Sequence, residues 1–94
     1  MAVYLVTWDL NKEKLNYERA RQEFISNLEG FENIKDSGLD SVRFISTDWD
    51  VYKVSDDLRS KLDDNDRLFV VEIKKGNHQG WMSENTWNWI NERL

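Results

Sequence analysis

The 94-residue chain carries 18 acidic and 13 basic residues, a net charge of −5; this works against the long-range attraction on which phosphate-backbone binding depends. It has no cysteine, so neither disulfides nor thiolate metal sites hold it together, which suits a reducing compartment. No apolar run nears the ~20 residues of a membrane span, and no basic-then-apolar leader opens the chain. The expectation is one cytoplasmic, soluble domain over residues 1–94, with a single modest core and no membrane partner.

Close to its start, over Val3 to Lys12, the chain reads "VYLVTWDLNK". Val3 to Trp8 reads as a first strand with apolar residues on both faces, as in a strand buried on both sides. It runs straight into Asp9. Asn16 then offers an N-cap, and Tyr17, Ala20, Phe24 and Leu28 follow at spacings of three, four and four, one stripe of a helix. Gly30 stands at the C′ position with Phe31 behind it.

Phe31 to Lys35 is a weaker strand candidate, and "DSG" at Asp36–Gly38 supplies turn chemistry. Ser41 to Thr47, rich in β-branched and aromatic residues, is a better one. A second helix opens after Asp48 or Asp50, with Val51, Val54, Leu58 and Leu62 on one stripe. "DDND", Asp63 to Asp66, makes the next turn, and the almost continuously apolar Leu68–Ile73 should be a well-buried strand. Lys75 to Gly80 is a polar loop. Ser83 caps a last helix over about 83–94, with Met82 and Trp87 spaced for a hydrophobic staple. Trp87, Ile90 and Leu94 would face the core.

The order strand, helix, strand, strand, helix, strand matches the split βαβ, or ferredoxin-like, unit. Fold class is therefore α+β: ferredoxin-like βαββαβ, a four-stranded antiparallel sheet plus a C-terminal helix. Right-handed crossovers put strands one and three in the centre. Both helices cover one face, which leaves the other for the last helix or a second subunit. Five tryptophans in so short a chain also fit an oligomer, since tryptophan is commonest in cores and interfaces.

"YLVTWDLNK", "TDW" before helix two and "DDNDRLFVVEI" resemble motifs of small bacterial SinR-like proteins, ferredoxin-like relatives of the CRISPR-associated adaptation endoribonucleases and the virulence-associated protein D ribonucleases. The resemblance covers most of residues 2–74. It implies a homodimer formed through the open sheet face or an edge strand. In it the Asp that ends strand one, here Asp9, meets its twin near the two-fold axis and holds a divalent metal for cleaving RNA or DNA. Some relatives serve instead as a structural clamp in an integration complex. The acidity and the extra helix of this chain depart from the family pattern.

Metal-assisted phosphoryl transfer needs two or more hard oxygen ligands around a partly hydrated Mg²⁺ or Mn²⁺. One Asp9 is insufficient, and two related by symmetry could suffice, with Asn11 or Ser46 orienting water. The commoner role for an Asp after a strand is an Asx-turn or cap. His78, the lone histidine, lies in "KKGNHQGW" near Lys74 and Lys75, where a general acid or a phosphate ligand would fit. An exposed loop histidine without a role is commoner. Trp8, Trp49 and Trp81 have no interleaved basic residues, so core or dimer interface is a better reading than base stacking.

Asp48, Asp50, Asp56, Asp57, Asp63, Asp64 and Asp66 face only Lys53, Arg59 and Lys61 over the same stretch. That is a solvated helix face with acidic caps, or a surface for a basic protein partner or a mimic of a phosphate backbone. Two functions follow: a metal-dependent endoribonuclease, or a non-catalytic acidic dimeric module that binds a protein partner in microbial defence or counter-defence.

Overall fold

The computed structural model describes residues 1–94. Seven elements follow in order: β1 (Ala2–Asp9), α1 (Tyr17–Leu28), β2 (Glu32–Ile34), β3 (Val42–Thr47), α2 (Val51–Arg59), β4 (Arg67–Ile73) and α3 (Glu84–Arg93). The strands form one antiparallel sheet in the order β2-β3-β1-β4. This is the ferredoxin-like arrangement with an added C-terminal helix.

Alternation along β1 sorts its side chains to two faces. Tyr4, Val6 and Trp8 point to one side and join Leu10, Phe24, Leu28, Ile45, Val54 and Leu58 in the core. The Trp8 and Phe24 rings meet at 5.2 Å between centroids, tilted by 53°. The Tyr4 hydroxyl donates to the Trp49 carbonyl at 2.7 Å. Helix α2 starts where Asp50 accepts the Lys53 N–H at 2.8 Å, a side-chain N-cap that satisfies one orphan donor.

The opposite face carries Val3, Leu5, Thr7 and Asp9, level with Ile73, Val71, Phe69 and Arg67 of β4. Helix α3 packs against β1 and buries Thr86 and Ile90. Both ends of α3 are tied to the ends of β2. Asp36, just past β2, accepts the Ser83 N–H at 2.9 Å and the Thr86 hydroxyl at 2.7 Å, and Arg93 pairs with Glu32 at the start of β2. The "DSG" turn is therefore more than a reversal: Asp36 is buried, folds back on the Gly38 N–H at 3.0 Å and anchors α3.

Some expectations need correction. Strand β4 is not well buried: it is an edge strand, with Phe69 61 % and Val71 39 % exposed. Its apolar run reads as two covered faces, but the helices cover only one, and α3 is fastened at the other edge of the sheet. Helix α2 ends at Arg59, short of Leu62. Gly30 does not adopt the left-handed cap, because Gly76 is the one glycine with positive φ. The end of α1 tightens instead, with Gly30 and Phe31 N–H groups donating three residues back at 3.2 Å. Asn16 sits at the N-cap of α1 without a side-chain cap bond. In α3 the fully buried positions are Thr86 and Ile90, while Leu94 is 38 % exposed.

Candidate carboxylate site at the end of β1

Asp9 is the last residue of β1, two residues past the final β1–β3 pair and still opposite Arg67 of β4. It is exposed, on the sheet face away from α1 and α2. Its backbone position is set on both sides. Trp8 N–H donates to the Ser41 carbonyl at 3.3 Å, and the segment after Asp9 is held by Asp66. That carboxylate accepts the Asn11 N–H at 2.8 Å, the Asp63 N–H at 3.0 Å and the Lys14 ammonium through both oxygens at 2.8 Å. Lys14 also reaches Asp63 at 3.0 Å.

The electrostatics of this clamp are mutually consistent. Burial pushes the Asp66 carboxyl up, but the Lys14 hydrogen bond and the Asp63 and Asn11 N–H groups outweigh it and hold it below its ordinary range. The Asp66 bond raises the Lys14 ammonium. Asp63 is lowered by Lys14 and by the Asn65 N–H. The "DDND" turn is thus partly interior: Asp66 is buried, and only its neighbours are a solvated acidic surface.

The side chain of Asn11 is occupied in part, since its Oδ1 accepts the Glu13 N–H at 3.0 Å. Its Nδ2 makes no hydrogen bond within the chain. Ser46 is buried and pairs with Val3, six residues along β1 from Asp9 and so ~20 Å away at strand rise. It is not part of this site.

His78 lies beyond the other end of β4, on the loop that leads to α3. Its Nδ1 is 2.8 Å from the Lys74 carbonyl. A carbonyl only accepts, so Nδ1 carries the proton and Nε2 is the open atom. The ring stacks on Trp87 at 6.0 Å and 24°. Because Asp9 pairs with Arg67 and Val3 with Ile73, Asp9 and His78 stand at opposite ends of the sheet. A site that joins them takes one from each of two chains.

The chain matches no family model and no curated protein. The site is therefore judged on its own chemistry. No group of three His, Cys, Asp or Glu side chains in the chain could hold a metal ion. Asp9 alone offers two hard oxygens, a fraction of what Mg²⁺ or Mn²⁺ requires. It fits such an ion only with ligands from a second copy, from water or from substrate phosphate.

From the sequence, Arg67 and Lys14 drew no role, and Asp66 only that of a turn residue in an acidic stretch. Arg67 is the only side chain directly across the β1–β4 ladder from Asp9. The signal for it was present: "DRLFV" starts a strand that the topology lays beside β1, antiparallel, so its first residue meets the last of β1. Of the three tryptophans weighed as stacking platforms, Trp8 is core and Trp49 packs edge-on to Phe31 at 5.3 Å. Trp81 is fully exposed. No helix is long and apolar enough to cross a membrane.

Proposed function

We propose that the chain is a homodimeric, metal-dependent endoribonuclease of the CRISPR-adaptation-endoribonuclease type, working in the cytoplasm on RNA. What supports this is the position of Asp9: an exposed carboxylate with no partner in its own chain, at the end of a row of exposed apolar residues. Phe69 and Val71, with the half-buried Leu5 and Thr7 beside them, leave the β1–β4 half of the open face uncovered. A sheet face of this kind is stabilised by a second layer. A second copy related by a two-fold axis brings a second Asp9 to the same interface.

The two carboxylates would hold one Mg²⁺ or Mn²⁺, an ion that activates water and offsets charge on a phosphoryl group in flight. Two like charges at an axis repel, so they favour a bound cation or a shared proton. Asn11 Nδ2, two residues further along the chain, would orient the attacking water. His78 has no part in this reading unless the partner chain supplies it. The test is cleavage of a single-stranded RNA in Mn²⁺ by the wild type and by Asp9→Asn: cleavage confined to the wild type supports the reading, and equal or absent cleavage overturns it.

The alternative, a non-catalytic acidic dimer that binds a basic protein, is favoured by the exposed acids Asp48, Asp50, Asp56 and Asp64 around α2. It predicts that Asp9→Asn leaves partner binding intact.

A further inference from the structure

Arg67 and Asp9 face each other across the last pair of the β1–β4 ladder, both exposed and on the same side of the sheet. Directly opposed side chains have Cβ atoms ~5 Å apart, close enough for an ion pair. Yet Arg67 turns its Nη1 to the carbonyl oxygens of Asp64 at 3.2 Å and Asp66 at 2.9 Å. The guanidinium is tethered at one corner by backbone, while its Nε and Nη2 make no hydrogen bond and no ion pair with Asp9. Asp66 fixes both members of the pair: its carbonyl holds Arg67, and its carboxylate holds the Asn11 N–H two residues after Asp9.

We propose that Arg67 is a phosphate-binding residue, which grips a phosphodiester of a single-stranded RNA beside Asp9. This rests on the reading of Asp9 as the centre of a nucleic-acid site and names the cation that site lacked. A guanidinium suits the task because its planar fork can bind two phosphate oxygens at once and never loses its charge. A tethered fork also has less freedom to lose on binding. The surrounding acids matter equally. Asp9 and Asp64 flank Arg67 and repel a phosphate, so the grip is weak while Asp9 is ionised and bare. It strengthens when a cation or a neutral side chain removes that charge. Arg67 thereby couples substrate binding to the occupancy of Asp9.

The experiment measures binding of a short fluorescent single-stranded RNA in metal-free buffer over a salt series. It compares Asp9→Asn with Asp9→Asn/Arg67→Gln, Asp9→Asn/Arg67→Lys and Asp9→Asn/Arg21→Gln. Arg21 is an exposed arginine of α1, on the opposite side of the sheet, and its change alters the net charge equally. Expected is a loss of affinity of about tenfold for Arg67→Gln, as for removal of a charge-assisted hydrogen-bond pair. The salt slope should fall by ~0.7 for each Arg67 that contacts a strand. Arg67→Lys should lose less affinity and keep the slope, and Arg21→Gln should change neither. Melting curves confirm that each variant folds; if Arg67→Gln does not, Arg67→Lys carries the test, and affinity equal to that of its parent overturns the proposal. So does equal binding by the Arg67→Gln and Arg21→Gln proteins, or no RNA binding by Asp9→Asn. Because no metal is present, the outcome is independent of whether Asp9 holds an ion. A nuclease reading that fails on metal dependence would leave an Arg67-dependent RNA site standing.

Discussion

Asp66 accepts the backbone N–H of Asn11 at 2.8 Å across 55 positions of sequence. That bond joins the loop after β1 to the turn before β4, at the corner of the sheet where Asp9 and Arg67 stand. Lys14 closes over the same carboxylate and leaves it almost without contact with water. A buried ion pair of this kind is weak evidence for net stabilisation, yet removing one partner is costly, because the other is left charged and unpaired.

Asp66→Ala should therefore lower stability by roughly 2–3 kcal/mol and loosen residues 10–16. Chemical denaturation gives the first and amide hydrogen exchange the second. Global destabilisation without a local rise in exchange after Asp9 would mean that the clamp does not position the site.

Asp36 gives a dependence on pH. The Thr86 hydroxyl, followed by the Ser83 and Gly38 N–H groups, lowers its carboxyl from 3.8 to about 2. A group whose folded pKa is depressed contributes stability that is complete above its unfolded pKa and is lost as pH falls through the folded one. The protein should thus lose stability between about pH 4 and pH 2 through this residue, with α3 released first. Thr86→Val removes the largest cause and should flatten that part of the acid limb. Acid limbs that superimpose for the two proteins would contradict this role.

Phe69→Asp tests the open face. A charge placed in the middle of an apolar interface meets its symmetry mate, so the variant should sediment as a monomer at concentrations where the wild type is a dimer. Phe69 is 61 % exposed, so the fold should tolerate the change with little loss of melting temperature. A wild type that is monomeric at micromolar concentration would remove the basis for a paired Asp9.

Element order, the central position of β1, the cap at Ser83 and, as one of two candidates, the cap at Asp50 were legible because they depend on local spacing and side-chain chemistry. Burial of β4 was not, since a run such as "LFVVEI" looks alike in a central strand and at an edge whose far side awaits a partner. The roles of Asp36 and Asp66 were hidden for another reason. Each sits in a turn-rich acidic stretch where solvation is the ordinary fate. Each is buried only because donors about 50 positions away converge on it. Asp9 stood out from the strand pattern alone. Arg67 required the register of β1 against β4, and the separation of His78 from Asp9 required the length of the same ladder.

The most direct measurement is a Mn²⁺ titration, followed by melting temperature and by stoichiometry, of the wild type and Asp9→Asn. If two Asp9 carboxylates share an ion across a two-fold axis, the wild type should bind one Mn²⁺ per two chains and melt at a higher temperature with it. Metal-free Asp9→Asn should be as stable as the metal-free wild type or more so, since the like charges are gone, and should show no response to Mn²⁺. Equal responses in the two proteins, or none in the wild type, would contradict the shared ion and leave Asp9 as the solvated end of a strand.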